Sequence, residues 1–65
     1  MPILFTIGCP KCKILEKKLN EKGIKFQTIS DIDDMNALGI TVLPVLLVEG
    51  VYMDFKHAVE WVKKK

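Results

Sequence analysis

Residues 3–12 of the chain read ILFTIGCPKC. The first five of these residues are largely apolar and include β-branched and aromatic side chains, which predicts a buried strand over residues 3–7. Gly8 interrupts this run. Proline suits the first position of a helix, because its missing N–H would have no partner there. A helix is therefore predicted to start at Cys9 or Pro10, with Cys9 and Cys12 at the junction between strand and helix.

The next elements complete a strand–helix–strand unit. Leu15 and Leu19 lie four residues apart with Ile14 beside them, so the helix has one apolar face. Gly23 is predicted to end it as a left-handed cap. Residues 24–29 mostly alternate in polarity, which is typical of a half-buried strand. A helix of this length between two strands predicts a right-handed unit with the strands parallel.

A short second helix is predicted after residue 30. Ser30 and the aspartates within residues 31–34 can accept hydrogen bonds from a helix N-terminus, so they are assigned to capping rather than to a metal cluster. Met35 and Leu38 are predicted to face inward, and Gly39 to end the helix.

The last third of the chain predicts a hairpin and a helix. Residues 45–48 form a buried strand, residues 49–50 a tight turn and residues 51–53 the return strand. Asp54 is predicted to cap the final helix. That helix has apolar residues at i, i+3, i+4 and i+7: Phe55, Ala58, Val59 and Val62. The order β-α-β-α-β-β-α fits one domain over residues 1–65.

Composition limits the classes of function. The chain has 65 residues and 49% hydrophobic content, which suits one small globular domain with a thin core. No apolar run approaches the ~20 residues that span a bilayer, and the N-terminus shows no charged region followed by an apolar stretch and a cleavage site. We therefore expect a cytoplasmic protein without a membrane partner. The lysines at residues 63–65 account for the net charge of +2. The chain has no basic stripe, so we expect no nucleic-acid partner.

The cysteine pair leaves several interpretations. A disulfide across a four-residue loop adds only ~2 kcal/mol in the chain-entropy model, so a purely structural bond is a poor explanation. A closed zinc site needs four ligands, and the chain offers only three, Cys9, Cys12 and its one histidine, His57. Thiolates suit Cu(I), and small copper-carrying domains also place C-x-x-C after a first strand. Those domains usually have methionine where this chain has Ile7, and copper binding stays as the alternative function.

Thiol–disulfide exchange fits the spacing best. A C-x-x-C pair beside a strand–helix–strand unit is typical of thioredoxin-like redox proteins. At a helix N-terminus, unpaired N–H groups and the helix dipole favour a thiolate, and thiol pKa values there fall to roughly 3.5–7.5. Cys9 is therefore the predicted nucleophile. Cys12 lies one helical turn on and could attack a mixed disulfide formed on Cys9.

Two segments give a family resemblance. The Cys9-Pro10-Lys11-Cys12 motif after a first strand, together with the segment 41–45 (Thr-Val-Leu-Pro-Val), resembles the glutaredoxin family within the thioredoxin fold. The resemblance implies a minimal α/β thioredoxin-like domain with three helices and a four-stranded mixed sheet in the order 2-1-3-4. The first and last helices would share one face of that sheet.

The resemblance also implies roles for site residues. Pro44 would follow a cis bond and lie against the cysteines, and Leu43 would hydrogen-bond the substrate backbone. Pro10 and Lys11 would border the same groove. The implied activity is dithiol–disulfide oxidoreduction of protein or glutathione mixed disulfides by a monomer with no bound cofactor and no metal.

Departures from the family pattern bear on the electron donor. Glutathione-using members usually have an aromatic residue where this chain has Lys11, a lysine where it has Thr6, and Gly-Gly near residues 53–54. The Leu43-Pro44 pair instead resembles the glutaredoxin-like hydrogen donors of ribonucleotide reductase, which thioredoxin reductase reduces. The resemblance thus implies glutathione or a thioredoxin-reductase-type flavoenzyme as donor, and a disulfide-containing protein such as ribonucleotide reductase as partner.

Overall fold

A computed structural model describes all 65 residues. It contains seven elements in the predicted order β-α-β-α-β-β-α. The elements are β1 (Ile3–Phe5), α1 (Pro10–Glu21), β2 (Gln27–Ile29), α2 (Ile32–Ala37), β3 (Val45–Val48), β4 (Val51–Met53) and α3 (Phe55–Lys63). None of the helices is both long and apolar enough to cross a membrane.

One mixed sheet contains all four strands, in the order β2-β1-β3-β4. β1 pairs with β2 in parallel and with β3 antiparallel, and β3 pairs antiparallel with β4. Both the predicted strand order and the predicted parallel unit are confirmed. The turn between β3 and β4 has positive φ at both central residues, 49° at Glu49 and 80° at Gly50, as two-residue hairpins of this twist require.

The core lies between the central strands and the two longer helices. β1 and β3 each contribute one fully buried leucine to it, α1 contributes two leucines, and α3 contributes two smaller residues. The cluster consists of Leu4, Leu15, Leu19, Leu46, Ala58 and Val62. It therefore fixes α1, and with α1 the two cysteines, against the sheet and α3.

Both predicted strands of the parallel unit are shorter than the sequence pattern indicates. β1 ends at Phe5 rather than at residue 7, and Ile7 is 58% exposed. β2 begins at Gln27 rather than at Ile24. The N–H of Ile24 instead donates to the Leu19 carbonyl at 3.0 Å, so this residue belongs to the cap that ends α1.

Two predicted inward positions are wrong. Ile14 is 46% exposed, because the buried stripe of α1 runs through Cys12, Leu15 and Leu19 instead. Leu38 is 52% exposed, because α2 ends at residue 37 and Met35 is its one buried residue. A six-residue helix makes fewer than two turns, so it has room for little more than one inward position.

The predicted aspartate caps are confirmed at Asp31 and Asp54, whereas Ser30 is not the cap of α2. At the start of α2, Asp31 Oδ1 accepts the backbone N–H of Asp33 at 2.9 Å. At the start of α3, Asp54 Oδ1 accepts the backbone N–H of His57 at 2.9 Å. The aspartates near residue 31 thus serve a helix N-terminus, as the sequence predicts.

Candidate functional site

Cys9 occupies the N-cap of α1. Its backbone is extended, with φ −68° and ψ 163°, and Pro10 begins the helix after it. Cys9 and Cys12 are joined by a disulfide, with their Cα atoms 5.0 Å apart. The Sγ of Cys9 also accepts the backbone N–H of Cys12 at 3.2 Å. One of the free N–H groups at the helix start is therefore directed at the Cys9 sulfur, where it would stabilise negative charge.

The two cysteines differ in access to solvent. Cys9 is partly exposed, whereas Cys12 is fully buried and belongs to the inward stripe of α1. Pro10 and Lys11, between them, are exposed. A partner approaching from outside would therefore meet the Cys9 sulfur, and Cys12 is placed to react inside the protein.

The sheet brings the predicted proline segment to the same end as the cysteines. Phe5, the last residue of β1, pairs with Val45, the first residue of β3. Pro44 therefore lies at the end of β1 that leads to Cys9. The peptide bond between Leu43 and Pro44 is cis, as the family resemblance implies. Pro44 is buried and Leu43 is partly exposed.

The start of α3 borders the motif as well. The Lys11 ammonium lies over the ring of Phe55, with its Nζ 5.7 Å from the ring centroid. A cation at this distance from an aromatic face is attracted by the ring quadrupole. The sequence assigns Phe55 only to the apolar face of α3, and it gives no signal for this contact between two distant residues.

Asp54, next to Phe55, is an ionised group beside the site. The backbone N–H of His57, followed by its ring, holds the pKa of the Asp54 carboxyl below its ordinary value of 3.8. The ring contact joins His57 Nδ1 to Asp54 Oδ1 at 2.7 Å. His57 is therefore engaged with the helix cap rather than with the cysteines.

A groove of about 280 Å³ lies beside the proline segment. The loop after α2, the start of β3 and the end of β4 line it, and its lining is mostly apolar. Val42, on the loop, is 71% exposed, and Tyr52, on β4, is 51% exposed. Asp54 is the one charged residue in the lining.

Metal ligands are sparse around the pair. No group of three or more histidine, cysteine, aspartate or glutamate side chains lies close enough together to hold a metal ion.

The comparison with known proteins yields a relative but no matching family model. The chain is 36% identical over 53 residues to a thioredoxin of Methanothermobacter thermautotrophicus, and the match covers 72% of this chain and 69% of the relative. The chain belongs to the thioredoxin family.

Membership in the thioredoxin family accounts for the site at a general level. A disulfide-bonded cysteine pair at a helix start, in a thioredoxin-like sheet, has a dithiol–disulfide redox role. The broader part of the sequence prediction, a thioredoxin-like redox domain, is thereby confirmed. The narrower assignment to glutaredoxins and the individual roles of Pro10, Lys11, Leu43 and Pro44 stay predictions.

Proposed function

We propose that the protein is a small electron carrier that reduces disulfides in other proteins, with Cys9 as nucleophile and Cys12 as resolving thiol. The carrying observation is the asymmetry of the pair. Cys9 is accessible and its sulfur accepts an N–H at the helix start, whereas Cys12 is buried one turn along the same helix.

The reaction uses two exchanges. The Cys9 thiolate attacks one sulfur of the target disulfide, forms a mixed disulfide and releases the other target sulfur as a thiolate. The Cys12 thiolate then attacks the Cys9 sulfur and releases the second target sulfur. The target gains two electrons, and the protein is left with the Cys9–Cys12 disulfide found in the structure.

The target would lie along the surface between the motif and the proline segment. Leu43 would hydrogen-bond the target backbone next to the attacked sulfur, with Pro44 shaping the wall behind it. Pro10 and Lys11 are exposed and would border the target on the other side. The groove that includes Val42 and Tyr52 would take an apolar side chain of the target, since its lining is mostly apolar.

For the electron donor, we propose a thioredoxin-reductase-type flavoenzyme over glutathione. Charged contacts to carboxylates are stronger than neutral ones, and the chain has Thr6 where glutathione-using relatives have lysine. Lys11 could substitute for that lysine, but its ammonium lies over the Phe55 ring. The relative is named thioredoxin, which supports the same preference.

The proposal extends to partner and compartment. A suitable target class is an enzyme that consumes dithiols as it turns over and is left with a disulfide, such as ribonucleotide reductase. We place the monomeric protein in the cytoplasm, where reductases keep thiols reduced.

The roles of the two cysteines are tested by trapping. With an oxidised protein such as insulin, Cys12→Ser is expected to accumulate a mixed disulfide through Cys9, because the resolving thiol is gone. Cys9→Ser is expected to form none, because the remaining thiol is buried. Non-reducing electrophoresis and mass spectrometry identify the linkage. An adduct trapped on Cys12 of the Cys9→Ser variant, with none on Cys9 of the Cys12→Ser variant, would reverse the assignment.

The donor is tested by supplying electrons in two ways. The oxidised protein is incubated either with glutathione and glutathione reductase or with thioredoxin reductase, and NADPH consumption is followed in both. Faster reduction by thioredoxin reductase is expected. Equilibration with glutathione buffers should give a potential nearer the −270 mV typical of thioredoxin than the roughly −200 to −230 mV of glutaredoxins. Rapid turnover with glutathione and a potential in the glutaredoxin range would refute the preference.

A further inference from the structure

Thr6 is the one buried polar residue of the chain, at 5% exposed. It follows the last residue of β1, and its backbone N–H donates to the Ile29 carbonyl at 3.0 Å, which extends the pairing with β2 by one bond. In the β1–β3 register, the position after Phe5 comes opposite Pro44. The sheet therefore holds the Thr6 backbone through its bond to β2.

The side chain of Thr6 also controls the turn that leads to the cysteines. Its Oγ1 accepts the backbone N–H of Gly8 at 3.1 Å, which closes a two-residue turn. Gly8 has a φ of 77°, a left-handed conformation that side chains disfavour. A Cβ built on Gly8 would meet nothing within 4 Å, so the backbone conformation and not the space available requires glycine there.

Few other contacts hold this turn. Neither Ile7 nor Gly8 takes part in a hydrogen bond between backbone groups, and both are exposed. The next fixed point is Cys9, whose carbonyl accepts the Lys13 N–H at 2.9 Å and whose sulfur accepts the Cys12 N–H at 3.2 Å. Between the sheet and the helix, the bond from Gly8 to the Thr6 hydroxyl is thus the one hydrogen bond within the turn.

We propose that Thr6 is a positioning residue for Cys9. By holding the Gly8 N–H, its hydroxyl keeps the Cys9 sulfur at the helix start, in line with the Cys12 N–H. Thr6 touches neither substrate nor sulfur in this role, and it acts through the turn. The inference rests on the proposed function for its biological meaning, but it concerns the reduced thiol itself and can be measured without any target protein.

The test compares Thr6→Val with Thr6→Ser. Valine keeps the branched shape and suits a strand but offers no acceptor, whereas serine keeps the hydroxyl. Reduced proteins are alkylated with iodoacetamide over pH 5–9, and the modified cysteine is identified by mass spectrometry. The midpoint of the rate profile reports thiolate formation at Cys9, and its plateau reports exposure. The variants change no charged side chain, so Lys11 and Lys13 in α1 and Asp54 before α3 are the same in all of them.

Displacing the Cys9 sulfur would cost its thiolate the bond from the Cys12 N–H, and one hydrogen bond corresponds to about two- to tenfold in an equilibrium, so Thr6→Val should shift the midpoint upward by about 0.3 to 1 pH unit. Thr6→Ser should restore the wild-type midpoint. Thr28→Val, on the exposed neighbouring strand, is the matched control and should have no effect. Circular dichroism confirms folding. If Thr6→Val does not fold, Thr6→Ala is measured in its place.

Other results would overturn the proposal. These are an unchanged midpoint in folded Thr6→Val, a Thr6→Ser profile that matches Thr6→Val, or an equal shift in Thr28→Val. A wild-type protein that alkylates normally but fails to reduce any protein disulfide would count against the proposed function alone.

Discussion

Serine and alanine are expected to rank in opposite orders of stability at the two cysteine positions. At position 9 the side chain is the N-cap of α1, and its sulfur accepts the Cys12 N–H at 3.2 Å. Serine is among the best N-cap residues, so Cys9→Ser can keep this bond. Alanine has no acceptor. The loss of the acceptor at an N-cap lowers the free energy of unfolding by about 1 kcal/mol relative to serine.

At position 12 the order should reverse. The Cys12 side chain is 0% exposed and packs as a small apolar group. Serine would bury a hydroxyl there, and an unsatisfied buried polar group costs about 1–3 kcal/mol. Alanine keeps the site apolar and loses only the packing of the sulfur. Cys12→Ala should therefore be more stable than Cys12→Ser.

The measurement is urea unfolding of the four variants with reductant present. Reduced wild type is the reference, because none of the variants has the disulfide, whose four-residue loop adds about 2 kcal/mol to the oxidised form. A 65-residue domain has a free energy of unfolding of about 3–10 kcal/mol, so differences of 1 kcal/mol are resolvable. The same order of serine and alanine at both positions would refute the assignment of Cys9 as cap and Cys12 as core.

Three further variants test other parts of the structure. Asp54→Asn should lower Tm at neutral pH. Because the pKa of Asp54 is lowered in the folded protein, the difference in Tm from wild type should disappear as the pH falls below 3.8 and through that lowered pKa. A constant difference in melts from pH 2 to 7 would contradict this. Glu49→Asn should raise the free energy of urea unfolding by about 0.5–1 kcal/mol, because asparagine tolerates positive φ better than glutamate; a lower urea midpoint would count against it. Leu46→Ala should lower it by about 2–5 kcal/mol, since this side chain is fully buried; a change below 1 kcal/mol would show that the core repacks.

The elements that sequence reasoning predicts well are those marked by local chemistry. Pro10 and Gly23 mark the two ends of α1, and Gly50 marks the hairpin, because each residue favours a backbone conformation regardless of its neighbours. The roles of the cysteine spacing and of Pro44 could also be predicted from the sequence, since both lie within short segments with a family resemblance.

The features that could not be predicted depend on contacts between distant segments. Lys11 is 44 residues from Phe55 in sequence, and only the packing of α1 against α3 brings them together. Leu38 has an apolar side chain at a helical spacing from Met35, but the early end of α2 leaves it exposed. Thr6 has a polar side chain at the end of an apolar run, and its burial depends on the strands on either side of β1.

The two outer strands of the sheet, β2 and β4, are three residues long each. A strand edge of this length offers only one or two backbone N–H and C=O groups to a second chain, too few for stable pairing between copies. Tyr52 and Val51 can therefore stay exposed on β4 without making the edge a template for aggregation. Short outer strands therefore leave both edges of the sheet poorly suited to pairing with a second chain.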